Sequence, residues 1–230
     1  MSLNDHPLEL EHVLWLGGSP CGGKSSISHL LAQIYVWVDY HADAWEKAHL
    51  RRRILRGDQQ AIAALRQSND ERWLIPSVEE LVQSASRSWT HNFPLVIEDL
   101  QAFPADNLIL AEGIFFPEVV APYLRHPHQA IWLIPTPDFC EQARYRKWAR
   151  LQERKRRHGI ADEGSNPEQR LAKLIARDVG VADEMRRQAT QLGVSWLEVD
   201  GTRSIEENLA AVESFYDPFL RAYYSRPGIQ

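Results

Sequence analysis

Gly18, Gly23, Lys24 and Ser25 are the residues of this chain whose types and spacing specify a chemistry most clearly. They satisfy G-x-x-x-x-G-K-[ST], in which glycines let successive backbone N–H groups curl around an anion. The run from Val13 to Leu16 ahead of them is apolar, and the stretch from Ser25 to Gln33 behind them has helical spacing. A loop between a strand and a helix places the positive end of the helix dipole at that anion. Lys24 is then expected to reach the β- and γ-phosphates of a nucleotide, and the Ser25 hydroxyl to ligate Mg²⁺. Ser19, Cys21, Gly22 and Ser26 complete the expected cradle. Cys21 reads as a small, sterically tolerated residue, because the sequence places no histidine partner beside it.

Elements that could position this loop are visible along the chain. Near-continuous apolar runs occur at His12 to Leu16, Ile34 to Asp39, Asn107 to Ala111, Gln129 to Ile134 and Val194 to Val199. Such runs suit a parallel sheet buried on both faces. Helical spacing fills Ser25 to Gln33, Ala44 to Arg56, Val78 to Trp89, Phe139 to Arg157 and Ile205 to Tyr216. Strands alternating with helices predict a doubly wound, five-stranded parallel α/β fold. Two connections are longer than one crossover helix requires, Tyr40 to Asp106 and Pro135 to Gly193. Both are expected to project beyond the C-terminal edge of the sheet, where ligands sit in such folds. Leu95 to Asp99 could be a strand, but Pro94 ahead of it and Phe103-Pro104 beyond favour a short helix starting at Pro94.

The 230 residues, 44% hydrophobic and 25% charged, fit a single domain spanning 1–230 and exclude a disordered or disulfide-scaffold chain. A net charge of −5 does not point to nucleic-acid or membrane partners. The two cysteines, Cys21 and Cys140, lack metal-knuckle spacing, so a reducing cytoplasm is expected. The first residues, MSLNDHPLELEH, lack the pattern of a secretory leader, and no run approaches a membrane span. Neither N-K-x-D nor T-K-x-D occurs, which argues against a GTPase.

Three further segments align with the loop. Val38-Asp39-Tyr40-His41-Ala42-Asp43 closes the second apolar run, Ala111-Glu112-Gly113 the third, and Asp200-Gly201-Thr202-Arg203-Ser204 follows the fifth. With GGSPCGGKSS, this arrangement resembles the P-loop small-molecule kinases, the superfamily of nucleoside, nucleotide, shikimate and gluconate kinases. It is more similar still to a group of uncharacterised bacterial ATP-binding proteins with the same segments. The resemblance covers most of the chain and implies ATP and Mg²⁺ as cofactors. It implies an acceptor-binding helical insertion at about 40–106 and a lid at about 140–178.

Within that resemblance, Asp39 would orient or deprotonate the acceptor hydroxyl, with Asp43 second and His41 third; the plainer reading of Asp39 is a helix N-cap. Glu112 would organise Mg²⁺ with Ser25, or simply end a strand. Arg144, Arg146, Lys147, Arg150, Arg154, Lys155, Arg156 and Arg157 are eight basic residues against one acid, Glu153. Arg144 would touch the donor phosphates, and Arg146 and Arg150 would neutralise charge on the transferring group. Arg146, Arg150 and Arg154 share one helical face, while Lys155 to Arg157 read as a solvated helix end. Arg177 is a further lid candidate. Gly201 and Thr202 would pack on adenine, although a helix capped by Ser204 and Glu207 explains that segment equally.

The acceptor region carries Tyr40, Trp45, Trp73, Trp89, Phe93 and Phe103 beside several arginines, which suits an aromatic or anionic acceptor or ordinary helix packing. The expected activity is transfer of the γ-phosphoryl group of ATP to a hydroxyl of a small molecule. The rival expectations are a 5′-hydroxyl polynucleotide kinase and a non-catalytic ATP-binding regulator.

Overall fold

A computed structural model of the chain describes residues 10–161 and 164–226. The apolar runs form β1 (Val13–Gly18), β2 (Val38–His41), β3 (Ile109–Glu112), β4 (Ala130–Pro135) and β5 (Trp196–Val199). These pair in the order β2-β3-β1-β4-β5, every pair parallel. The helices are α1 (Lys24–Tyr35), α2 (Ala42–Leu55), α3 (Gln59–Arg66), α4 (Asn69–Trp73), α5 (Val78–Gln101), α6 (Pro117–Val120), α7 (Pro137–His158), α8 (Pro167–Leu192) and α9 (Ile205–Tyr224). None of these helices is long and apolar enough to cross a membrane.

Side-chain alternation along each strand divides the core between the two faces of the sheet. Val13, Trp15, Ile109, Ala111, Trp132 and Ile134 pack with Phe93, Val96 and Leu100 of α5 and with Val181 and Met185 of α8. Leu14, Leu16, Leu110, Ile131 and Leu133 meet Ile27 and Leu31 of α1 and Val212, Tyr216 and Phe219 of α9 on the other face. Burial on both faces is why these strands read as unbroken apolar runs. The buried Tyr216 hydroxyl donates to the Trp15 carbonyl at 2.9 Å, tying α9 to the central strand.

Two expectations need correction. Ile34 and Tyr35 belong to α1, not to β2, because Val36 takes a left-handed conformation (φ 58°) that ends the helix. The Tyr35 and Trp37 rings stack across that turn at 4.4 Å, so one apolar run serves two elements. Consequently Asp39 lies inside β2, and His41, not Asp39, is the N-cap residue of α2. Leu95–Asp99 is helical as expected, but Pro94 sits within α5 and starts no helix. Leu81, Phe93, Val96, Ile97 and Leu100 make one buried stripe, and its burial outweighs the roughly 3 kcal/mol that an interior proline costs.

The two long connections hold α2 to α5 and α7 to α8. The tip of the first is fastened to the start of α8: Ser165 N donates to Asp70 at 2.9 Å, and Lys173 Nζ donates to the Pro76 carbonyl at 2.6 Å.

Candidate functional site at the C-terminal edge of the sheet

The loop after β1 leads into α1 at the centre of the sheet, between β3 and β4. Gly18 there has φ 136°, and a Cβ added to it would stand 2.1 Å from the Leu133 carbonyl oxygen of β4. Only glycine allows the loop to leave the strand this close to its neighbour. Gly23, at φ 79°, is the N-cap of α1 and supplies no side-chain cap. In the first turn Ser26 N donates to the Gly23 carbonyl at 3.1 Å, while Lys24 N and Ser25 N have no backbone partner among the described residues and remain donors of the kind that suit an anion at a helix N-terminus. Ser19, Cys21, Gly22 and Lys24 are buried, while Gly23, Ser25 and Ser26 are open to solvent.

Lys24 and Ser25 converge on Glu112, the last residue of β3. Lys24 Nζ donates to the Ser19 carbonyl at 2.9 Å and lies 3.8 Å from Glu112 Oε1. Ser25 Oγ donates to Glu112 Oε2 at 3.1 Å. The register explains this meeting: Leu16 of β1 lies opposite Glu112, so the strand ends that carry the loop and the acid lie side by side. Glu112 is 2% exposed. Burial would raise its pKa, but the His41 hydrogen bond, the Lys24 charge and the Ser25 hydroxyl together hold it below the usual glutamate range.

His41 forms a bridge that the sequence did not single out. Its Nδ1 lies 2.8 Å from Glu112 Oε2 and its Nε2 lies 2.8 Å from Asp39 Oδ2. The hydrogen bond to Glu112 first, and that to Asp39 second, raise its pKa to about 9 against the opposing effect of burial. An imidazolium thus joins the two carboxylates at neutral pH. Asp39 also accepts from Ser28 Oγ of α1, which fixes its second oxygen. Asp43 stands in the first turn of α2; partial desolvation raises its carboxyl pKa, with Lys24 opposing. Ser25 and Glu112 offer hard oxygen donors of the kind that fit Mg²⁺, which commonly takes one or two protein oxygens and completes its shell with water and phosphate.

The expected nucleotide-side residues come together beyond the loop. A Cβ on Gly23 would be 3.8 Å from Ile205 Cδ1, and one on Gly201 would be 2.8 Å from the Phe139 ring. Arg146 lies over Phe139 at 5.7 Å. Asp200 accepts from Thr202 N at 2.9 Å and from its hydroxyl at 2.7 Å, forming a tight turn. Ser204 and Glu207 form the expected capping box of α9. Arg150 and Arg154 are exposed, and Arg156 and Arg157 pair with Glu153 on the solvated end of α7.

Arg144 points elsewhere. Its Nε donates to the fully buried Asp178 at 2.5 Å, and Arg177 grips the other oxygen of the same carboxylate through Nε at 2.9 Å. Beside this group, Cys21 and Cys140 come together, and their sulfurs and an Asp178 oxygen all lie within 4.8 Å of one another. Two guanidiniums on Asp178 oppose a cation at that cluster. The Cys140 thiol hydrogen bond lowers the Cys21 pKa to about 6, against burial and with help from Lys147 and Arg144. The pairing of Cys21 with Cys140 is a feature that their distance in sequence concealed.

Three of the seven acceptor-region arginines are held in ion pairs. Arg52 and Arg56 pair with Glu98, Arg53 with Asp58, and Asp99 gathers Arg52, the buried His49 at 2.6 Å and Tyr40 at 2.9 Å. No family model matches the chain, and no curated protein matches its sequence.

Proposed function

We propose that the protein is a P-loop phosphotransferase of the small-molecule kinase type, moving the γ-phosphoryl group of ATP to a hydroxyl acceptor. The observation that carries this reading is the meeting of Lys24 and Ser25 with Glu112 at the edge of adjacent parallel strands, beneath a glycine-bounded loop. Each group has a role in phosphoryl transfer. Loop N–H groups and Lys24 bind the donor phosphates and offset the charge that spreads over the transferring oxygens. Ser25 and Glu112 would hold Mg²⁺, which would supply positive charge to offset that of the donor phosphates.

In the transfer, the acceptor hydroxyl oxygen forms a bond to the γ-phosphorus while the bond to the β,γ-bridging oxygen breaks and ADP leaves. The hydroxyl proton passes to the Asp39 carboxylate, which Ser28 and His41 orient. Arg146 and Arg150, on the exposed face of α7, would close over the phosphates and exclude water.

Titration of Mg·ATP into the intact protein and into Lys24→Ala tests the binding half of the reading. Micromolar affinity is expected for the intact protein, and a loss of at least tenfold in the variant; equal affinity in both would refute it. The Asp39→Asn protein is expected to keep its ATP affinity while losing at least tenfold in transfer rate.

A further inference from the structure

The two cysteines of the chain, Cys21 in the loop after β1 and Cys140 in the first turn of α7, are free thiols that the fold brings together. Their sulfurs lie within 4.8 Å of each other. Cys140 has no exposed surface and sits on a helix start fixed by the Thr136 cap, whereas Cys21 keeps 9% of its surface. Cys21 also holds φ 72°, a left-handed conformation that a non-glycine residue seldom takes. Backbone strain of this kind collects at functional sites, where the surrounding structure imposes it.

The surroundings give the two thiols different parts. The Cys140 thiol donates to the Cys21 sulfur, and this bond, with Lys147 and Arg144 nearby, favours the thiolate at Cys21 against the cost of burial. The same bond first, and burial second, keep Cys140 protonated far above the ordinary thiol range. Each oxygen of the buried Asp178 is met by Nε and Nη2 of one guanidinium, which fills a carboxylate's capacity of about four hydrogen bonds. Asp178 is therefore not free to take the Cys140 proton. A thiolate with some access to solvent, beside a second and protonated thiol, is the arrangement of a reversibly oxidised cysteine and its resolving partner.

We propose that Cys21 is a site of oxidation by peroxides and that Cys140 resolves it, closing a reversible Cys21–Cys140 disulfide. In the first step the Cys21 sulfur attacks one peroxide oxygen and the O–O bond breaks. The sulfur is oxidised by two electrons to a sulfenic acid, and the released hydroxide takes a proton from solvent. In the second step the Cys140 sulfur attacks the Cys21 sulfur and the S–O bond breaks. The leaving hydroxide takes the Cys140 proton and departs as water. The bond fastens the loop after β1 to α7, the helix that carries Arg146 and Arg150. The site needs only the two thiols and a peroxide, so it stands apart from the phosphotransferase reading.

Hydrogen peroxide added to the reduced, intact chain, followed by non-reducing digestion and mass spectrometry, tests it. A peptide pair joined through Cys21 and Cys140, lighter by two hydrogens and separated again by dithiothreitol, is expected. In concentrated urea the same pair should form at least tenfold more slowly, because the fold no longer holds the thiols together. With Cys140→Ser, Cys21 should stop at the sulfenic acid and be trapped by dimedone. With Cys21→Ser, Cys140 should stay unmodified at the same dose. No cross-link in the folded chain, cross-links only between two chains, or equal rates in buffer and urea would each overturn the proposal. So would oxidation of Cys140 that proceeds unchanged in Cys21→Ser.

Discussion

Replacing Gly18 by alanine should destabilise the protein far more than the same change at Gly23, although both glycines belong to one motif. At Gly18 the new Cβ would stand 2.1 Å from the Leu133 carbonyl oxygen and 2.9 Å from the Leu133 nitrogen, both backbone atoms of the neighbouring strand. Carbon and oxygen need about 1 Å more, so β1 and β4 must part at the centre of the sheet. The φ of 136° adds strain that an L-residue meets at about 1–3 kcal/mol. Forced separation of packed elements costs about another 1–3 kcal/mol, for a total near ~4 kcal/mol. A chain of this size loses about 2–4 °C of melting temperature per kcal/mol, so a fall of about 8–16 °C is expected. At Gly23 the φ is 79° and the nearest atom to a new Cβ is 3.8 Å away. Left-handed strain alone, about 1 kcal/mol, predicts a fall of about 2–4 °C. Calorimetric melting of both variants is the assay. A Gly18→Ala protein that melts within about 3 °C of the parent would refute the reasoning from close approach, as would a Gly23→Ala protein that falls equally far.

Three other outcomes follow from named contacts. Cys21, its pKa lowered to about 6 by Cys140 and the nearby cations, exposes more thiolate as pH rises. Its alkylation by iodoacetamide, followed by mass spectrometry, should reach half its plateau rate near pH 6, whereas an ordinary thiol does so near about 8.5. His12 is buried with Nε2 unpartnered among the described residues, and burial lowers its pKa from 6.5. Below that value the unfolded chain takes up a proton that the folded one refuses, so stability falls on acidification; His12→Gln should flatten that slope in urea titrations between pH 7 and 5. Tyr216→Phe removes the hydroxyl that donates to the Trp15 carbonyl, leaving a buried acceptor, and should cost about 1–2 kcal/mol in denaturant unfolding.

The centre of the sheet was legible because β1, β3 and β4 are buried along their whole length and read as apolar runs, whereas the edge strands β2 and β5 are only partly covered. The same apolar patterning blurred the junction at Ile34 to Val38, where helix end and strand start share apolar residues and only the left-handed turn at Val36 separates them. Lys24, Ser25 and their loop were legible because one contiguous motif encodes them. Glu112 was legible as an acid closing a strand, but its contacts with Lys24, Ser25 and His41 depend on parallel register. His41 reads as an isolated loop residue until β2 and β3 pair, when its two nitrogens fall between Asp39 and Glu112. Cys21, Cys140 and Asp178 lie far apart in sequence, and nothing local to any of them signals the others. Arg144 and Arg146 sit in one basic run, yet helical geometry sends them to different neighbours, Asp178 and Phe139.

The central claim is transfer of a phosphoryl group at the loop carrying Lys24. Incubating the intact protein and the Lys24→Ala variant with γ-labelled ATP, Mg²⁺ and a small-molecule cell extract measures this transfer directly. The account predicts a labelled small molecule, formed by the intact protein and reduced at least tenfold in the variant. A label that remains in ATP, or passes only to water, with the intact protein would contradict it.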